Sequence, residues 1–376
     1  MKKVLAVVLT ILLAVGLFGC SGSTGGTSAA NNKAFDDFAR PQTVEDKSMN
    51  VIYLVSNMTD ESNIRSTQQA QIEAAHRGWK IQVINYEKED NFRQYFQNAI
   101  NQSPAAIIIG ITQAFDSYKD LVKTARDANI GVYSNDNSLT DGVISNSTLD
   151  NTKAANDLMD QVVKDHTEAM NYCVYELAMS EVVTARATAA KAYKASNLKL
   201  LDSLDLASTG DLNTAGFTVA QTWLNQYGDD LDFIFCSADT PAMSAAEAIS
   251  QAGDATGAKT FVAGVDGGSA SWHYIRSNTP LKYTYSQPFE YFTHQTFEII
   301  SAIQVKGLNP GDEGCPIKKS GDTVTSTGIV TTAENVPAIG ATISSVFNYY
   351  GGSADDKDAW YNWTDGPGIY KVTDSK

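Results

Sequence analysis

TFVAGVDGGSASW, residues 260–272, is the stretch on which the fold turns. Its apolar, β-branched run (Phe261, Val262, Ala263, Val265) stops at one carboxylate, Asp266, and Gly267 and Gly268 follow. A short continuous apolar run reads as a strand covered on both faces, as in a parallel sheet. In such a sheet all strands point the same way, and their carboxyl ends open into one crevice where ligands bind. Asp266 ends one of these strands. Asp239 ends or just follows another (FIFCSADT), and Asp136 ends a third (GVYSNDN), flanked by Asn135 and Asn137. A carboxylate accepts several hydrogen bonds, and bonds to a charged acceptor are the stronger kind. Such strand ends suit a neutral ligand rich in hydroxyls. Helix N-capping is the competing reading for all three carboxylates, most of all for Asp239, which precedes TPAMSAAEA.

Outward from this stretch the chain alternates apolar strands with amphipathic helices. NVIYLVS, KIQVINY, AAIIIGI and GVYSNDN read as strands, separated by helices such as IRSTQQAQIEAAHRG. The pattern restarts at NTKAANDLMDQVVKDH and runs through NYCVYEL, LKLLDSLDL, LDFIFCS, KTFVAGVD and LKYTYSQP. Two consecutive doubly wound α/β units are the simplest architecture. The 376 residues suit two domains, and 43% hydrophobic with 19% charged residues is a globular composition. A net charge of −15 argues against a nucleic-acid partner, since phosphates would be repelled.

The first twenty residues stand apart. MKK, a short apolar run and LFGC form a secretory signal whose end resembles a bacterial lipobox, with Cys20 as the lipid-bearing residue. An ordinary signal peptide with a chance Cys is the alternative. Residues 21–47, opening with SGSTGGTSAANN, read as a flexible tether. An extracytoplasmic, lipid-anchored protein on the outer face of a Gram-positive membrane is the localisation expected. Cys173, Cys236 and Cys315 give no disulfide framework, and the four His lack metal-ligand spacing. Residues 344–376 form an extension rich in Tyr, Trp, Gly and Asp, for which docking on the body is expected.

The segments from STQQAQIEAAHRG to AAIIIG, then ANIGVYSNDN, FVAGVDGG and YTYSQPFEY together resemble the periplasmic-binding-protein type 1 family, closest to the ribose- and galactose-type receptors of ABC importers. The resemblance spans roughly residues 50–310. It implies two α/β domains joined by three crossings, with a sugar held between them. It assigns 48–149 plus 288–320 to the first domain and 150–287 plus 321–343 to the second, with crossings near 147–151, 286–289 and 318–324. It also implies ligand contacts from Asp136, Arg186, Asp266 and Gln287, with Asp239, Asn137 and Asn63 as further candidates. Trp272 and Phe289 are candidates for stacking on a sugar ring, against a competing role in packing. The family's charged donor beside Asp136 is Asn137 here. Its aromatic pair in the first loop is replaced by Ser62 and Asn63, and an expected Asn contact is Ala238. The implied partners are a carbohydrate-like molecule and an ABC permease, with no cofactor, for a monomer. Presentation of the ligand to a histidine kinase or chemoreceptor is the alternative within this fold. A carbohydrate-active enzyme is the alternative outside it, and no GxSxG, P-loop or HExxH motif supports it.

Overall fold

The computed structural model describes residues 35, 37–112, 115–253, 259–342 and 355–374. The signal segment with Cys20, the start of the tether and the beginning of the extension lie outside the described residues. Two six-stranded sheets organise the chain. The first half alternates β1 (Asn50–Val55), α1 (Glu61–Arg77), β2 (Lys80–Asn85), α2 (Phe92–Asn101), β3 (Ala106–Ile109), α3 (Lys119–Asp127), β4 (Gly131–Asn135) and β5 (Ser145–Leu149). The second half runs α4 (Asn151–Asp165), β6 (Met170–Glu176), α5 (Glu181–Ala192), β7 (Leu198–Asp205), α6 (Leu212–Tyr227), β8 (Phe233–Cys236), α7 (Asp239–Ala252), β9 (Phe261–Asp266), α8 (Ser269–Arg276) and β10 (Leu281–Ser286). The chain then returns through α9 (Phe289–Ile300), β11 (Asp322–Ser326) and β12 (Ile329–Thr331).

The strand orders are β11-β5-β4-β3-β1-β2 and β12-β10-β9-β8-β6-β7. Every pairing is parallel except β10 with β12. Two parallel sheets with helices on both faces are the architecture the sequence predicts. Burial explains it: β3 and β8 are buried at every position, so each needs cover above and below. Three of the helices, α1, α4 and α6, start at a capping carboxylate. Asp60 accepts from the Ser62 amide at 2.9 Å, Asp150 from Lys153 at 3.0 Å and Asp211 from Thr214 at 2.8 Å.

The chain changes sheet after Leu149, after Ser286 and between Ser326 and Ile329. The last position corrects the start of the 321–343 stretch expected in the second domain, and the crossing expected near 318–324; β12 does join the second sheet. Asp322–Ser326 pairs with β5 as an edge strand of the first sheet. This strand carries DTVTS and no apolar run, because an edge strand with one wet face needs only alternate burial.

The tether also needs correction. Residues 35 and 37–47 are docked on the first domain. Phe35 is fully buried in a core with Met49, Ile144, Phe297 and Ile300. Arg126 donates to the Ala39 carbonyl at 2.6 Å, and Arg40 donates to those of Ile303 and Leu308 at 3.1 and 3.0 Å. Two phenylalanines and an arginine in FDDFAR anchor this stretch, so only the residues before it retain the composition of a tether.

Candidate ligand-binding cleft

The carboxyl ends of the two sheets face a shared cavity of about 910 Å³, within the range of small-molecule sites. Its lining includes Asp136, Arg186, Asp239, Asp266 and Gln287 from the residues singled out above, and Phe289 as well. Asp136 comes from the tip of β4 and Asp266 from the tip of β9, so side chains from two separate sheets meet around one space.

Each of these two carboxylates sits on unusual backbone. Asp136 has φ 54° and Asp266 has φ 150°, regions that non-glycine residues seldom adopt. Strain of this kind persists where surrounding bonds over-determine it, and it clusters at binding sites. For Asp136 the bonds are its amide to the Ser147 carbonyl at 2.9 Å and the Thr148 hydroxyl to its Oδ1 at 2.7 Å. Burial raises its pKa, and the Arg186 charge from the other domain offsets part of that rise.

Asp266 is the hub of the second wall. Its Oδ1 accepts from Arg186 at 3.0 Å and from Gln287 Nε2 at 2.8 Å, while Oδ2 accepts from the Asp239 amide at 3.2 Å. Burial pushes its pKa up to about 7, Arg186 pulls against this, and the neighbouring Asp239 charge adds to it. Arg186 is itself fixed by Asn151 Oδ1 at 2.7 Å and the Ser237 carbonyl at 2.9 Å. Gln287 spends its amide nitrogen on Asp266. Its Oε1 is buried and meets no donor among the described residues. A buried acceptor without a partner costs about 1–3 kcal/mol, and here it belongs to a residue of the cavity wall.

Asp239 has a different task. Its carboxylate holds the Thr284 hydroxyl at 2.8 Å and the Gly267 amide at 2.8 Å. It therefore shapes the turn after Asp266. It does not cap α7, whose N-cap is Ala238, and Asp266 caps no helix, since Gly268 precedes α8.

Three sequence candidates do not line the cavity. Asn63 donates to the Asn57 carbonyl at 2.8 Å and braces the loop before α1. Asn137 is consumed by the Thr112 amide at 3.0 Å and the Gly110 carbonyl at 2.7 Å. Trp272 is 1% exposed and donates to Ser286 Oγ at 3.0 Å, packed with Tyr361 and Val372. Packing thus claims Trp272, because α8 presents that face to the extension.

The lining also contains residues that sequence reasoning passed over. Carboxylates come from Asp60, Glu61, Glu87 and Glu89 besides the three aspartates, against two guanidinium groups, Arg65 and Arg186. Arg65 is engaged by Glu290 at 2.7 and 2.8 Å and by the Gly267 and Gln287 carbonyls at 2.8 and 3.1 Å. Glu61, on α1 of the first domain, accepts from the Ser269 amide of the second at 2.8 Å. Thr112 and Glu89 follow β3 and β2 and are hydrogen-bonded to each other at 2.6 Å. Applying the strand-end rule to β2 and β3 would have found them. Leu177, Met179, Val183 and Met243 give the second wall an aliphatic portion, and among the described residues Phe289 is the one aromatic side chain lining the cavity.

Two parallel-sheet units, three crossings and a polar cavity between strand ends define a two-domain binding protein of the type 1 architecture. The chain belongs to the periplasmic binding protein domain family, which matches residues 51–303. Solved structures share the fold. It is similar to an ABC transporter solute-binding protein from Agrobacterium vitis with bound allitol, at 17% identity, 78% of this chain, 98% of that chain and TM-score 0.64. It is similar to the periplasmic component of the arabinose ABC transporter from Shewanella sp. ANA-3, at 19% identity, coverage of 77% and 93%, and TM-score 0.64. A solute-binding protein from Bacillus halodurans C-125 with bound myo-inositol gives 16% identity, coverage of 78% and 98%, and TM-score 0.62. The comparison with curated proteins gives no match. Among the described residues no helix is long and apolar enough to cross a membrane.

Proposed function

We propose that this protein is an extracytoplasmic receptor that closes over a sugar or related polyhydroxylated solute and hands it to an ABC permease. Anchoring through lipid on Cys20 belongs to this proposal. The observation that carries it is the meeting of Asp136 and Asp266 across one cavity, beside the unpartnered Gln287 Oε1. These are acceptors, and a ligand with several hydroxyl donors satisfies them together. The excess of carboxylates over guanidinium groups disfavours an anionic solute. Among the described residues Phe289 alone is aromatic in the lining, which points to recognition by hydrogen bonds rather than by ring stacking. Solutes in the similar structures, allitol, an arabinofuranose and myo-inositol, are polyols or sugars and support the same class. No covalent step is needed; contacts from both domains favour the closed state.

The test is a thermal-shift screen of pentoses, hexoses, alditols and inositols, followed by calorimetry of the hits and scattering to read closure. Binding with compaction is expected. Asp136→Asn and Asp266→Asn each replace a charged acceptor and should weaken binding by about 10-fold or more, from about 1.5–3 kcal/mol per charged bond. A panel without any binder overturns the reading.

A further inference from the structure

We infer that the C-terminal segment 355–374 is a strap that joins the two domains across the cleft, and that within it Tyr370 is a positioning residue for the cavity carboxylate Glu61. The family match ends at residue 303, well before this segment.

Its grip on the first domain is made of rings and hydrogen bonds. Trp363 stacks on His76 at 3.6 Å with planes 9° apart, and Asp365 Oδ2 lies 3.0 Å from His76 Nδ1. Trp360 stacks on His294 of α9 at 4.6 Å. Gln68 of α1 donates to the Gly368 carbonyl at 2.6 Å. Gly366 passes so close to α1 that an added Cβ would stand 3.2 Å from the Gln71 carbonyl, at φ 63°. The grip on the second domain is separate. Tyr361 and Val372 form a buried cluster with Trp272 of α8. The Thr373 amide donates to Ser269 Oγ at 3.0 Å, and Asp374 lies 3.0 Å from His273 Nδ1.

Tyr370 joins the two grips. Its hydroxyl is hydrogen-bonded to Glu61 of the first domain and lies 2.7 Å from Ser269 Oγ of the second. Glu61 in turn receives the Ser269 amide at the first turn of α8, where a carboxylate is favoured by the open N–H groups. Burial and the Glu61 charge keep the phenol protonated, so it donates to the carboxylate. Opening the cleft by rotation about the three crossings has to break either the ring stacks on α1 and α9 or the α8 contacts. The strap therefore biases the protein toward closure before any ligand arrives.

The test is free of ligand, so it stands or falls apart from the reading of what the cleft binds. Spin labels on exposed Lys123 (α3) and Gln221 (α6) report the interdomain distance. Amide exchange at Ser269 reports the hold of Glu61. Tyr370→Phe keeps the ring and removes only the hydroxyl. It should leave the melting midpoint almost unchanged while Ser269 exchanges at least tenfold faster. Trp360→Ala combined with Trp363→Ala should shift the label distances to longer, broader values. Ser269 exchange and label distances identical in the parent protein, Tyr370→Phe and the tryptophan pair would overturn the proposal. Loss of stability without a change in either readout would overturn it too, since the segment would then be packing only.

Discussion

Gly267 shows how much of the cleft rests on one residue without a side chain. It follows Asp266 at φ 69°, and a Cβ there would fall 2.2 Å from Ser286 Cα. That approach lets β9 and β10 end side by side, which delivers Asp266 and Gln287 to the same wall. Gly267→Ala should cost about 1–3 kcal/mol from backbone strain, with more from the clash, read by urea denaturation. Gly268→Ala is the control, because its φ of −142° suits any residue and its Cβ would meet a side chain, the Glu61 carboxylate at 3.1 Å, and no backbone. Equal effects from the two substitutions would contradict this account. The residue scale is also where sequence reading was most uneven. Asp136 and Asp266 were legible because a strand end is a fixed address in a parallel sheet, whereas Gln287 was reached only through the family resemblance. Asn63, Asn137 and Trp272 were not. Whether a polar or aromatic side chain near such an end turns to the cavity or to its own loop depends on tertiary partners, and neighbouring residues in the sequence do not encode those.

At the scale of elements, α1 and α9 are locked together at the crossing into α9. Arg65 is fully buried and its fork pairs with both oxygens of Glu290. It also ties the Gly267 and Gln287 carbonyls to α1, so one guanidinium joins the helix pair to the turn that carries the cleft. Arg65→Met leaves Glu290 charged and buried without its partner, and breaking a buried pair in this way costs about 3–5 kcal/mol. Arg65→Met with Glu290→Leu should recover much of that loss. Denaturation of both single variants and the double variant gives the coupling, and additive losses would show that the pair is not the cause. Elements were the scale read best from sequence. Strand runs and capped helices follow from local burial patterns. β11 and the docked stretch from Phe35 escaped, the first because an edge strand lacks an apolar run and the second because a polar leader masked two anchoring phenylalanines.

Across the whole molecule the cavity carboxyls Asp136, Asp239 and Asp266 share a direction. Each is held above its ordinary range, chiefly by burial. For an acid whose folded pKa is raised, folding favours the protonated form. The stability it contributes is complete below the unfolded value of about 4 and is lost as pH rises through the folded value, about 7 for Asp266. Relative to Asp266→Asn, the parent protein should therefore lose thermal stability between about pH 4 and pH 7 and level off above it. Melting midpoints of the two proteins across that window check it, and a constant difference would refute it.

The seating of Phe35 and Arg40 has a mechanical consequence. Force applied from the amino-terminal side enters the first sheet through that anchor, at Ile303 and Leu308. The second sheet lies outside that line of load, reached through the crossings, the Arg65 and Glu61 contacts and the aromatic tail. Tension at the amino terminus thus loads one half alone and does not prise the two walls of the cavity apart.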